Sequence, residues 1–239
     1  MSDYLKKNLS FWDRKYTSPN VESFIFRLKS VLLDKFIKFY KYQNYKILDF
    51  GCGEGANVMF FNKKYGFIPY GVDISSASIN VCKKKTKKFK KNFKIIDPKP
   101  SEKLNLFNEK FDLVIAIQSL YYMSDKDLQI CLKCLYNHLK PGGMIFASMM
   151  GIKNNSYYNI FSNKKKNSDG LTLVDLRTDK FYKKRQKGNT YSHYINFIKN
   201  KEELERKFKI FKKKAIGFYD GDYESLNSSL FHYTYLGKK

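Results

Sequence analysis

The stretch Ile47–Gly55, ILDFGCGEG, decides how the rest of the chain is read. Two apolar residues and an acid lead into Phe50, and Gly51, Gly53 and Gly55 then fall within five positions. Each glycine costs conformational entropy on folding, so a cluster belongs where something must come close to the backbone. The apolar run reads as a strand, and GANVMFFNKKYG after it as a helix closed by Gly66. Dinucleotide-binding turns place their third glycine at the sixth position, as GxGxxG. Here the spacing is GxGxG, so other residues must say what binds.

Downstream, short apolar runs alternate with helices. IPYGVDI, FKIID, FDLVIAIQSL and MIFASMM read as strands. SSASINVCKKKTKKF reads as a helix with Ser75 or Ser76 at its N-cap, and DKDLQICLKCLYNHL as a helix that stops at KPGG. This alternation implies an α/β fold with a mostly parallel sheet and right-handed crossovers. In such sheets ligands bind outside the carboxyl ends of the strands. Asp73 ends the second strand, 24 residues after Asp49. A carboxylate there can accept hydrogen bonds from both hydroxyls of a ribose.

The flanks differ in character. The first 45 residues read as helical, with Val21, Phe24, Ile25, Leu28, Leu32 and Phe36 on one face. Residues 151–200 are polar and weakly periodic. KEELERKF then reads as a short helix, and IFKKKAIGFY and SSLFHYTYLGKK as strands. No internal repeat and no Pro/Gly/Ser linker interrupts the chain. The economical division is one domain over 1–239: a helical lid over 1–45, a core over 46–150, an insertion over 151–200, and a helix with a strand pair over 201–239.

Composition bounds the class. Of 239 residues, 43% are hydrophobic and 17% aromatic, which excludes a disordered chain. No basic start leads into an apolar leader and no apolar run reaches about 18 residues, so a cytoplasmic protein without membrane insertion is expected. Cys131 and Cys134 form a CxxC that invites a metal or redox reading. Against it, Leu128, Cys131, Leu132 and Leu135 repeat as the buried face of a helix, and no second CxxC or His pair follows at zinc spacing. Core cysteines, no metal and no disulfide are expected. The formal charge of +24 suggests polyanion partners. Lysine is also the default surface residue here, and the run Lys83–Lys91 complements the dipole at a helix end.

At its motifs the chain resembles the class I S-adenosylmethionine-dependent methyltransferases. ILDFGCGEG is similar to their first motif, YGVDIS to their second, FDLVIAIQSL to their fourth, and LKPGGMIFA to the turn before their fifth strand. The resemblance covers about residues 45–150. It implies a Rossmann-like seven-stranded sheet with helices on both faces, an antiparallel last strand and an N-terminal helical lid. It implies S-adenosylmethionine as cofactor, with Gly51, Cys52 and Gly53 passing under its methionine part. Asp49 would brace that loop or contact the cofactor amine, Asp73 would hold the ribose hydroxyls, and Ile74 would line the adenine. Asp97 would lie near the adenine amine, although the prolines of DPKPSEKLNLF depart from the family pattern. Gln118 and Ser119 would flank the methionine moiety. Tyr16 and Arg27 would bind its carboxylate, since arginine suits carboxylates.

Methyl transfer is an in-line displacement, so an enzyme contributes mainly positioning and desolvation. A general base is needed only when the acceptor is a hydroxyl or a protonated amine. His193 is the best-placed candidate, because an ordinary histidine titrates near neutral pH; a packing histidine is the competing reading. Tyr121 and Tyr122, after the fourth strand, line the acceptor pocket or pack beneath the lid. Tyr157, Tyr158 and His232 are lesser candidates, and His138 reads as a helix-end residue. No Asn/Asp-Pro-Pro-Tyr/Phe signature for exocyclic amine methylation and no paired cysteines for carbon-5 methylation occur. The expected acceptor is an oxygen or nitrogen of a small molecule. A phosphorylated or nucleotide-linked sugar, or a surface-polysaccharide precursor, comes first, from the tyrosines, asparagines and lysines of 151–200. The alternatives are an RNA methyltransferase, or a member that binds the cofactor without catalysis.

Overall fold

A computed structural model describes residues 1–12, 44–154, 167–175, 192–219 and 231–239. The chain begins with helix α1 (Asp3–Trp12). Strand β1 (Lys46–Phe50) leads to α2 (Ala56–Tyr65), β2 (Ile68–Asp73), α3 (Ser76–Lys85) and the short β3 (Phe93–Ile95). Then come β4 (Phe111–Ala116), a single 3-10 turn at Leu120–Tyr122, α4 (Asp125–His138) and the long β5 (Leu139–Met150). The remaining elements are β6 (Thr172–Asp175), β7 (Ser192–Ile195), α5 (Lys201–Lys207), β8 (Lys212–Tyr219) and β9 (His232–Lys238).

The helices start and stop where local chemistry allows. Ser75 caps α3 by accepting the Ser78 N–H, Ser124 caps α4 by accepting that of Asp127, and Asn200 caps α5 by accepting that of Glu203. Of the two candidate serines, Ser75 is therefore the cap. Gly66 ends α2 in the left-handed region, donating its N–H to Asn62.

Seven strands form one sheet in the order β3-β2-β1-β4-β5-β9-β8. All pair in parallel except β9, which runs antiparallel to both its neighbours. The central strands are buried on both faces, and alternate residues feed two separate cores. Leu48, Phe50, Val114, Ala116, Ile145 and Ala147 meet Leu128, Cys131, Leu132 and Leu135 of α4. Ile47, Leu113, Ile115 and Phe146 meet Val58 and Phe61 of α2 with Ile79 and Cys82 of α3. Helices therefore cover both faces, as a parallel sheet requires.

Two features depart from the sequence reading, and a third lies outside the described residues. The KPGG segment is not a turn ahead of the fifth strand but a bulge within it. Phe111 pairs with Leu139 and Leu113 with Met144, so residues 140–143 are looped out. The insertion contributes a separate two-stranded antiparallel hairpin, β6–β7, which its weak periodicity did not announce. Of the helical N-terminal stretch, only α1 lies in the described part; the apolar face from Val21 to Phe36 lies outside the described residues. The cysteines settle as core: Cys131 and Cys134 are buried in α4, and burial pushes the Cys134 thiol up to about 11. No helix among the described residues is long and apolar enough to cross a membrane.

Candidate active site

The carboxyl ends of β1, β2 and β4 meet at the glycine turn. Gly51 and Cys52 both donate their N–H to the carbonyl of Val72 on β2, which pins the turn to the sheet. Gly51, Gly53 and Gly55 all have positive φ, and each serves a different need. A Cβ on Gly51 would meet the Ser119 Cβ at 2.3 Å, and one on Gly55 would meet the Cys82 sulfur at 2.5 Å. These two glycines allow protein to pack on protein. A Cβ on Gly53 would meet nothing within 4 Å. Gly53 alone among the three faces open ground, with its backbone accessible to a ligand.

Two acids stand beside it. Asp73 accepts the Gly53 N–H at 2.7 Å through one oxygen and the Ser75 N–H at 2.8 Å through the other. Asp49 is fully buried, and neither of its oxygens makes a hydrogen bond of ordinary geometry, although the Asn57 side chain lies close enough to favour its charged form. Burial pushes its carboxyl up to about 8; the Asp73 charge adds to this and Asn57 opposes it. A buried carboxyl without a well-formed hydrogen bond is costly, and a cation brought to it relieves that cost.

The fourth strand completes this side. Gln118 takes φ 56, a left-handed conformation unusual for a residue with a side chain, and its N–H is held by the Ser148 hydroxyl at 2.8 Å. Ser119 donates its hydroxyl to the Phe50 carbonyl at 2.6 Å, bracing the turn. Cys52 is buried with its thiol pushed well up, by burial first and Cys82 second, and it packs against Gly71. Ile74 is half-buried just past β2.

The other candidates separate. Asp97 is exposed and accepts the N–H of its own neighbour Lys99 at 2.7 Å, closing a local turn. It shows no contact with the glycine turn, so its assignment to the adenine end gains nothing here. Tyr16, Arg27, Tyr157 and Tyr158 lie outside the described residues. Tyr121 is 2% exposed, part of the core, with its ring 4.5 Å from Tyr122 and 5.6 Å from His232. Tyr122 is half-buried and faces Trp12 at 5.1 Å and His193 at 5.6 Å. His138 is buried, with Nδ1 2.9 Å from the Cys134 carbonyl and Nε2 accepting the Leu106 N–H. It ties the end of α4 to a loop.

The assignment of His193 as a base poised near neutral pH needs correction. It lies on β7 with its ring 4.1 Å from Phe11, and it is 2% exposed. Burial pushes its pKa down to about 3, and Nδ1 has no hydrogen-bond partner. It is therefore neutral and apolar in behaviour, a wall residue beside Tyr122. Sequence reasoning missed the rest of that wall, Phe11 and Trp12 of α1. It also missed Asn8 and Asn196, which bond the backbone beneath the tyrosines.

A family model described as "Methyltransferase domain" matches residues 47–143. Over these residues the chain is similar to the methyltransferase domain. Over 107 residues the chain is 31% identical to a phosphoethanolamine N-methyltransferase of Plasmodium falciparum. That match spans 44% of this chain and 39% of the Plasmodium protein. Among solved structures, a protein of Pyrococcus horikoshii aligns over 95% of each chain at 24% identity with a TM-score of 0.64. Magnesium protoporphyrin IX methyltransferase of Synechocystis, solved with bound SAM, aligns over 100% of this chain and 98% of that one, at 10% identity and a TM-score of 0.60. These likenesses show the fold. The cofactor of a methyltransferase domain, S-adenosylmethionine, fits the residues present on two counts. The ground at Gly53 is open, and the buried Asp49 carboxyl of β1 lacks the cationic partner that the cofactor ammonium would supply.

Proposed function

We propose that the chain transfers a methyl group from S-adenosylmethionine to a nitrogen or oxygen of a small molecule, and that a small amine is the preferred acceptor. The observations that support this are the open ground at Gly53, whose N–H is held by Asp73, and the aromatic pair of Tyr122 and Trp12 in the segment that follows β4. When bound, the cofactor supplies a methyl group on a sulfonium, which an acceptor displaces in line.

The chain's own residues hold and orient. Asp49 offers a carboxylate to an ammonium, whose charge draws the carboxyl pKa back down. Asp73 accepts the backbone N–H groups of Gly53 and Ser75, one through each oxygen, and this fixes its carboxylate where ribose hydroxyls would donate to it. Gly53 leaves room for both. On the acceptor side, the edge-to-face pair of Tyr122 and Trp12 offers aromatic surface to the carbon skeleton of a small amine. Their apolar surroundings disfavour the charged form of an amine, which favours the neutral nucleophile; its proton leaves to solvent. The name of the Plasmodium relative supports an amine acceptor.

A sugar precursor rests only on the composition of 151–200. In the described part of that stretch Tyr194 and Asn196 are engaged in holding α1 and the segment 121–123, so they add no support.

The test uses methyl-labelled S-adenosylmethionine, with small amines including phosphoethanolamine and with a fractionated lysate. Label in an amine, insensitive to nuclease, is the expected result. Label in a glycan fraction would overturn the amine reading, and label lost on ribonuclease treatment would make RNA the acceptor. Absence of S-adenosylhomocysteine with every acceptor would leave a cofactor-binding protein without transfer.

A further inference from the structure

Three successive backbone carbonyls beneath the aromatic wall are each held from elsewhere in the chain. The carbonyl of Tyr121 accepts the Asn196 N–H at 2.7 Å. That of Tyr122 accepts from the Asn8 side-chain amide at 2.8 Å. That of Met123 accepts from the Asn196 side-chain amide at 3.2 Å. Both asparagines are buried, at 3% and 0% exposure, and each engages both amide donors and its oxygen. Asn8 also donates to the Tyr194 carbonyl at 3.1 Å and accepts the Tyr194 N–H at 2.8 Å. Asn196 also donates to Asp125 at 2.7 Å and accepts from Lys207 at 3.3 Å. A buried amide that satisfies all its groups fixes position in a way an apolar side chain cannot, because a shift in any direction strands a donor or acceptor.

We infer that Asn8 and Asn196 are positioning residues of the acceptor site. They clamp the backbone of 121–123 and thereby set the Tyr122 ring. The two differ in origin. Asn196 belongs to the segment that follows β7, whereas Asn8 comes from α1, separated from Tyr122 by 114 positions. The clamp is complete only when α1 docks. Docking also brings Trp12 to 5.1 Å from Tyr122 and Phe11 to 4.1 Å from His193. Tyr4 adds a second fastening through its hydroxyl to Asp127 on α4. The site wall is thus assembled by the N-terminal helix, with Asn8 as the point at which helix, hairpin and acceptor segment join. The consequence for acceptor turnover rests on the proposed methyl transfer; the consequence for the position of Trp12 does not.

Trp12 is the only tryptophan in the chain, so its fluorescence reads this assembly directly. The variants are Asn8→Ala, which removes all three bonds, and Asn8→Asp, which keeps the acceptor and removes both donors. Three readouts apply: Trp12 emission with acrylamide quenching, S-adenosylhomocysteine affinity by calorimetry, and turnover of the acceptor found by the labelling assay. Both variants are expected to red-shift Trp12 and raise its quenching about twofold, while cofactor affinity stays within about twofold of the parent. Acceptor kcat/KM is expected to fall about tenfold, since a misplaced wall weakens transition-state positioning. Trp12 emission unchanged in Asn8→Ala would overturn the inference. So would cofactor affinity falling in step with the Trp12 change, because Asn8 would then support the whole fold. A parent protein that methylates nothing would defeat the proposed function, yet the Trp12 and affinity readouts would still decide the role of Asn8.

Discussion

Asp73 on β2 reaches across to accept the Gly53 N–H, while Asp49, on the adjacent strand β1, is buried against the same turn without a hydrogen bond of ordinary geometry. The first acid shapes the turn; the second is, in the proposed reading, the group that meets a cationic ligand. This division of labour separates the expected effects of the two substitutions.

Asp73→Ala strips acceptors from two backbone N–H groups and from the proposed ribose site. Stability should fall by about 1–3 kcal/mol, the cost of stranding such groups. S-adenosylmethionine binding should weaken tenfold or more, about 1.4 kcal/mol or greater, because the acceptors for both hydroxyls go with the turn. Calorimetry on the folded variant checks it, and an unchanged dissociation constant would sink the assignment.

The glycines should respond differently to the same small change. Gly53→Ala places a methyl group in open ground and costs only the left-handed backbone, about 1–2 kcal/mol, but it obstructs the cofactor. Gly51→Ala drives a Cβ into Ser119 and carries the same backbone cost, about 2–4 kcal/mol in all. Thermal melts and S-adenosylhomocysteine titrations of the two variants should rank them oppositely: Gly51→Ala lower in stability, Gly53→Ala the folded protein that has lost binding.

Asp49 makes stability fall with rising pH when no ligand is present. Its folded pKa, about 8, lies above the model-compound value of 3.8, so the native state holds a proton that the unfolded chain releases. The contribution is full below about pH 4 and is lost as pH rises toward 8. Asp49→Asn should remove this slope, read as the denaturation midpoint at pH 5 against pH 8. Binding of a cationic ligand should release a proton from the parent and none from Asp49→Asn, measured by calorimetry in buffers of different ionisation enthalpy.

His193 acts on the other side of the scale. Its folded pKa of about 3 lies below the ordinary value of 6.5, so the unfolded chain takes up a proton that the native state refuses. Its contribution is full above pH 6.5 and is lost as pH falls toward 3. His193→Phe, which suits the ring stack with Phe11, should lose less melting temperature between pH 7.5 and pH 5 than the parent. If His193→Phe abolished turnover of the acceptor while stability held, the base reading would return.

The parts legible in the sequence share one property: they repeat or they are local. The central strands showed as continuous apolar runs because a parallel sheet buries both faces. The glycine turn and Asp73 showed because backbone freedom and a strand-end acid are local requirements. The hairpin β6–β7 did not show, since four-residue strands in a polar stretch leave too short a pattern. KPGG was legible as the end of α4, which stops at His138, but not as a looped-out bulge in β5, because proline and glycine mark both with the same residues.

The sequence by itself determined the sheet, its two cores and the turn that meets the cofactor, because burial periodicity and glycine conformation are written residue by residue. Only the tertiary structure decided which glycine faces open space, that His193 is a buried wall residue, and that Asn8 holds the Tyr122 carbonyl. Those outcomes depend on what packs against each group across more than a hundred positions of chain, and neither burial nor a hydrogen-bond partner is a property of the residue alone.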